Sequence, residues 1–333
     1  MPRPLSKAGR ACPTPTLIMQ SHWAHIGESG MLIGMRLLYA IHRYFGRWPF
    51  RLMLWPVMLY YFLGHGVARR ASLEYLRHIA PTLRGWNLFF TSFRHFLAFG
   101  ECILDKALAW NGQLAFDTLR IEGLEPLKSR LASGQGAVLL VSHFGNMEVS
   151  RALAKLEPDI RLTVLVHTKH AQRFNQFLAA LNPASQADLI QVTEVDAATA
   201  ILLAERIARG ELVVIAADRV PVSPEPRVVF APFLGESAPF PVGPFVLAGL
   251  LKCPVFLLFC PKFADGYRLI FEPFAEVLSL PRATREAALQ AAAVRFAERL
   301  AYYCQQAPLQ WFNFFAFWAQ PVAVATSNIE QQT

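Results

Sequence analysis

Residues His143 to Glu148, HFGNME, set an imidazole and a carboxylate five positions apart. An imidazole titrates near neutral pH, so it can take a proton from a hydroxyl and give it back within one catalytic cycle. With Glu148 accepting the proton of one ring nitrogen, the tautomer is fixed, the imidazolium is stabilised and the other nitrogen is left as the base. Gly145 lets backbone or ligand approach closely, and Asn146 suits the N-cap of a helix whose positive end would favour an oxyanion or a phosphate. The same six residues would also suit an ordinary strand-to-helix turn with a solvated His and Glu.

Asp218-Arg219 closes a second apolar run, ELVVIAA. Arg219 reads either as a phosphate ligand held in place by Asp218 or as half of a structural ion pair. His167, Lys169 and His170 follow a third run, RLTVLV, and offer further cations for a substrate, or a solvated basic loop. No G-x-S-x-G elbow is present, so no serine nucleophile of that kind is expected. Cys12, Cys102, Cys253, Cys260 and Cys304 are widely spread with no CxxC pair, and read as small buried apolar residues rather than a disulfide framework or a zinc site. No metal and no cofactor is expected.

These residues need a scaffold that gathers strand ends. Gly136–Ser142, Arg161–His167, Leu189–Val192, Glu211–Ala217 and Pro254–Cys260 are short apolar runs rich in Val, Leu and Ile. Helical patterns lie between or after them at Glu148–Leu156, Arg173–Leu181, Ala197–Ala208, Phe245–Leu251 and Thr284–Gln305, with Tyr267–Phe271 as an edge strand. The stretch between Ala217 and Phe245 is read as a Pro/Gly-rich loop. Such alternation predicts an α/β fold with a mainly parallel sheet covered by helices. In sheets of that kind functional groups gather past the carboxyl ends of the strands, where His143 and Asp218 both fall.

Hydrophobic residues make up 54% of the 333 and charged residues 17%, which excludes an intrinsically disordered chain. The net charge is +8, and the excess sits in residues 1–110, with thirteen Lys and Arg against four acids. These bases are interleaved with Trp, Tyr, Phe and Leu, a pattern for an anionic membrane surface and against nucleic acid as partner. Leu52 to Ala68 is an uncharged run of 17 residues flanked by Arg47, Trp48, Arg51, Arg69 and Arg70, which would either span a bilayer or dip into it. The expected organisation is a disordered tail over 1–20, a helical membrane-associating region over 21–110, the α/β domain over 111–320 and a flexible tail over 321–333.

The segment VSHFGNMEVS resembles the H-x4-D/E motif of the glycerolipid acyltransferase superfamily, and HFGN-x-E is similar to the lauroyl/myristoyl acyltransferases of lipid A biosynthesis. His22-Trp23, Gly27 to Gly30 and Ala68 to Ser72 look like the opening of that family. Ala217-Asp218-Arg219, Ala231 to Gly235 and Gly243-Pro244 look like its second block, and Gln310 to Phe315 with Phe317-Trp318 like its close, so the likeness runs over about residues 21 to 318. It implies a glycerolipid acyltransferase-like fold on the cytoplasmic face of a bacterial inner membrane. It further implies transfer of an acyl chain from a thioester of acyl carrier protein or coenzyme A to a hydroxyl of a glycolipid, lipid A-like or lysolipid acceptor. His143 and Glu148 would be catalytic, and Gly145, Asn146, Asp218, Arg219, His167 and Lys169 would bind substrate. Met147 stands where these enzymes usually carry Trp, Arg219 where they usually show Gln, and Val166 to His170 replaces an Arg-containing segment, features of a sister branch with another acceptor lipid. A lipid or thioester hydrolase using the same dyad, and a non-catalytic lipid-binding protein, are the alternatives.

Overall fold

All five residues of the strand Ala137–Val141 are buried, so the sheet that contains it must be covered on both faces. The computed structural model describes residues 31–110, 113–114, 119–150, 160–166, 189–191, 197–221 and 226–319. Among the described residues four helices come first: α1 (Met31–Phe45), α2 (Arg47–Gly64), α3 (Gly66–Ile79) and α4 (Gly85–Trp110). Then follow β1 (Arg120–Glu122), α5 (Glu125–Ala132), β2 (Ala137–Val141), a single 3-10 turn at Met147–Ser150, β3 (Leu162–Val166), β4 (Leu189–Gln191) and α6 (Ala197–Ala208). The rest is β5 (Leu212–Ala216), β6 (Val228–Phe233), β7 (Glu236–Pro241), α7 (Gly243–Leu251), β8 (Val255–Phe259), β9 (Lys262–Phe263), β10 (Gly266–Ala275) and α8 (Arg285–Gln306).

The sheet runs in the order β1-β10-β8-β2-β5-β3-β4, with β9 paired to β10. It is parallel throughout except where β10 meets β8 and β9. Side chains alternate across it as the two-residue period requires. Val138 and Leu140 join a core with α6, α7 and α8, whereas Ala137, Leu139 and Val141 join a second core with α1, α2 and α4. α8 contributes the stripe Leu289, Ala292, Ala293, Phe296, Ala297, Leu300, Tyr303 and Cys304, a helical spacing of apolar residues on one face.

Two expectations are corrected. Tyr267–Phe271 belongs to β10, which is interior, paired on one side to β1 and on the other to β8. Residues 228–241, read as loop, form a β6–β7 hairpin turned at Leu234-Gly235, both with positive φ. Its three prolines, Pro232, Pro239 and Pro241, hid the pattern, since Pro is uncommon in strands, but a two-stranded ribbon tolerates it at positions whose N–H is not needed.

Among the described residues no helix is long and apolar enough to cross a membrane. The run Leu52 to Ala68 is divided because α2 ends at Gly64 and α3 starts at Gly66, with His65 between them at φ −105 and ψ 76. Phe50, Leu54, Met58 and Phe62 form the buried stripe of α2, and Phe62 lies against Phe89, Phe93 and Phe96 of α4 at ring distances of 5.0, 5.5 and 5.1 Å. Gly100 allows this approach, since a Cβ there would come within 2.6 Å of Leu54 Cδ1. The helices are tied to the sheet through Asp105, wholly buried on α4, which accepts hydrogen bonds from Arg47, from Lys262 Nζ at 2.5 Å and from the Tyr267 hydroxyl at 2.7 Å. A buried carboxylate persists only with such partners.

Candidate active site

β2 and β5 are parallel neighbours in the register Val141 to Ala216, so the residues two places beyond each strand end, His143 and Asp218, come face to face. Asp218 Oδ1 lies 2.8 Å from His143 Nδ1, and Oδ2 accepts the His143 backbone N–H at 2.8 Å and the Trp311 indole N–H at 3.1 Å. A carboxylate only accepts, so Nδ1 carries the proton and Nε2 presents its lone pair. The His143 side chain keeps 38% of its surface exposed while that of Asp218 keeps 1%, so the base faces outward and its partner is sealed beneath it.

Electrostatics favour the neutral imidazole. Burial lowers the His143 pKa most, the Arg219 charge lowers it further, and the Asp218 charge and hydrogen bond oppose both without cancelling them. For Asp218 burial acts upward, but the charge and hydrogen bonds of His143, followed by Arg219, hold its pKa below the usual carboxylate value. The pair is therefore neutral histidine on ionised aspartate at neutral pH.

The loop after His143 is held on both sides. Gly145 has φ +70, its N–H donates to the Gln310 carbonyl at 2.8 Å, and a Cβ there would sit 2.0 Å from the Cys260 carbonyl oxygen. The Asn146 N–H donates to that Cys260 oxygen at 2.9 Å, and its buried side chain accepts the Glu148 N–H at 3.2 Å, which is the capping role expected of it. The segment Gln310 to Phe312 runs alongside, with the Phe312 N–H on the His143 carbonyl at 3.0 Å.

The carboxylate bonded to the imidazole is thus Asp218, where the spacing had suggested Glu148. Glu148 lies in the 3-10 turn and pairs with Lys106 Nζ of α4 at 3.1 Å. The physical reason is topological: adjacent parallel strands bring Asp218 to Nδ1 directly, whereas Glu148 is five residues along a loop that turns toward α4. The Arg219 guanidinium donates to the Phe312 carbonyl at 3.0 Å and lies 5.5 Å from the Phe315 ring, and the Asp218 charge acts on it as well. Burial brings the Arg219 pKa down to about 10, still charged at neutral pH. His167 and Lys169 lie outside the described residues. Cys102 donates its thiol to the Gly145 carbonyl at 3.7 Å, and burial pushes its pKa up to about 12, so it is no thiolate nucleophile. Among the described residues no three His, Cys, Asp or Glu gather as a metal site.

Sequence reasoning missed Lys106 and His95, and met Trp311 only as part of the stretch that resembles the close of the family. A lysine or histidine inside an apolar helix such as α4 is a signal only once the helix is known to abut the loop after β2.

Residues 102–320 match the family described as bacterial lipid A biosynthesis acyltransferase. The chain belongs to that family. The match takes in well over half of the chain and includes His143, Asp218 and Trp311. Among curated proteins, none matches it. Membership makes the chain an acyltransferase, with the transfer of an acyl group to a lipid as its class of reaction.

Proposed function

We propose that this acyltransferase moves a fatty acyl chain from a thioester of acyl carrier protein or coenzyme A to a hydroxyl of a glycolipid, lipid A-like or lysolipid acceptor, with His143 as general base. The observation that carries the reading is the 2.8 Å contact between His143 Nδ1 and Asp218, which leaves Nε2 unprotonated and outward-facing. Nε2 takes the acceptor proton as the hydroxyl oxygen attacks the thioester carbonyl carbon. The tetrahedral oxyanion then expels the thiolate, which receives the same proton from the imidazolium. A thioester is already activated, so a base, positive potential for the oxyanion and a slot for the chain are sufficient. Arg219 and Lys106 both exert positive potential at His143 and would favour that oxyanion. Glu148, through its pair with Lys106, would set how much of that potential reaches the substrate.

We further infer docking on an anionic bilayer, the cytoplasmic leaflet of the bacterial inner membrane, by dipping and not by spanning. Trp48 and Tyr60 of α2 are 77% and 70% exposed, and Leu52, Trp55, Leu59 and Leu63 are exposed with them. Tyr44 and Phe45 at the end of α1 and Trp86 and Phe90 at the start of α4 extend the apolar surface, and Arg43, Arg51, Arg70 and Arg84 are exposed among them. Aromatic and basic side chains on the outer face of helices are the signature of an interfacial segment. An acceptor lipid could then reach the site without leaving its membrane.

The test is mass spectrometry of total lipids from bacteria lacking the protein, carrying it, or carrying His143→Ala. One lipid gaining one acyl group only with the intact chain is the expected result and names the acceptor. Free fatty acid without an acylated lipid would point to the hydrolase instead.

A further inference from the structure

Asp218 is fixed by two groups besides His143's ring, and the second of these leads away from the site. Trp311 is fully buried, its indole N–H on Asp218 Oδ2 at 3.1 Å and its carbonyl 3.0 Å from His95 Nε2. A carbonyl only accepts, so Nε2 of His95 donates and its Nδ1 accepts a hydrogen bond from the Ser72 hydroxyl at 3.0 Å. Ser72 also meets Ser92 at 2.8 Å, and the His95 ring stacks on Phe314 at 4.7 Å. Asp218, Trp311, His95, Ser72 and Ser92 are all buried. His95 and Ser92 lie on α4 and Ser72 on α3, and the same turns of α4 carry Phe93 and Phe96, the seat of Phe62 from α2.

We propose that Trp311 is a positioning residue for the base: its N–H locks the Asp218 carboxylate under His143, and its bond to His95 ties that lock to the α3–α4 pair beside the apolar face. The inference rests on the reading of His143 as the base. Its consequence is that the geometry of the base depends on how the N-terminal helices are packed, although none of their residues in this chain touches His143 by hydrogen bond.

Trp311→Phe isolates the polar role, because a phenyl ring retains packing against Tyr75, Phe233 and Phe317, whose rings lie 5.1, 5.0 and 4.8 Å away. The expected result is a roughly tenfold lower kcat with KM within about twofold, the loss of one hydrogen bond to a charged group. The acid limb of kcat/KM should also move up by roughly 0.5 pH unit, because a carboxylate with one donor fewer holds the imidazolium more strongly. The other charges around His143, Arg219 beyond β5, Lys106 on α4 and Glu148 in the 3-10 turn, are unchanged by the substitution. A folded Trp311→Phe protein with the wild-type kcat and the wild-type acid limb overturns the proposal. Should that variant not fold, His95→Gln and His95→Leu decide it: Gln, which can still donate to the Trp311 carbonyl, should restore the kcat that Leu loses, and equal kcat in both overturns the proposal. His143→Ala in the same assay separates the two claims, since its retained turnover would sink the base assignment itself, whatever Trp311 does.

Discussion

Replacing Asp218 by Asn keeps the shape of the side chain but gives it one oxygen where the carboxylate has two. Oδ2 receives two N–H groups, from the His143 backbone and Trp311, while Oδ1 receives one, from His143 Nδ1. Setting the amide NH2 against the two fixed donors would leave both unsatisfied in a buried site. Setting it against Nδ1 conflicts with one donor only, and the imidazole removes that conflict by moving its proton to Nε2. The variant should therefore hold His143 in the wrong tautomer, with the proton on the nitrogen that must act as base. General base catalysis contributes about 10²- to 10⁴-fold, so kcat should fall roughly 10³-fold, about 4 kcal/mol in the barrier. KM should change little, since the Asp218 side chain is sealed beneath His143. The assay is release of free thiol from an acyl thioester in the presence of the acceptor lipid, with near-ultraviolet circular dichroism to confirm the fold. A folded Asp218→Asn protein within about threefold of the wild-type kcat would refute the pairing as the source of catalysis.

Three further outcomes are expected. Because burial and Arg219 favour neutral His143, the acid limb of kcat/KM should fall below the ordinary histidine value of 6.5, and a limb above pH 7 would contradict the electrostatics. Gly145→Ala would put a Cβ 2.0 Å from the Cys260 carbonyl at a φ of +70, so a loss of roughly 2 kcal/mol or more should appear in urea unfolding, and a neutral effect would mean the loop can move. His95 is buried with its pKa lowered to about 4, chiefly by burial, so protonation favours the unfolded chain. Its contribution is fully present above pH 6.5 and is lost as pH falls toward 4, roughly 3 kcal/mol, and His95→Gln should flatten that part of the stability profile.

The strand ends were the legible part of the site. Short Val/Leu runs at 137–141, 212–216 and 255–259 are the buried parallel strands their composition suggests, and reading just beyond them finds His143 and Asp218. Which carboxylate meets the imidazole was not legible, because linear spacing favours Glu148 while the pairing is decided by strand order. Nothing local says that β2 and β5 are neighbours although 70 residues separate them. The β6–β7 hairpin was hidden by its prolines for a similar reason: its stability comes from packing against α8 and the aromatic close, where Phe233 meets Trp311 and Phe317, and not from local propensity. The uncharged run 52–68 was legible as one apolar segment but not as parts of two helices, since the break at His65 depends on α3 turning to place Ser72 and Tyr75 against α4 and Trp311.

The most direct measurement is made with purified protein, an acyl carrier protein thioester and vesicles containing a lipid A precursor or lysolipid, the products being read by mass spectrometry for wild type and His143→Ala. The account predicts an ester-linked acyl gain on the lipid, matched by thiol release, in the wild type, and neither in a folded His143→Ala protein. Equal acylation by the two, or thiol release with no acylated lipid, would contradict it.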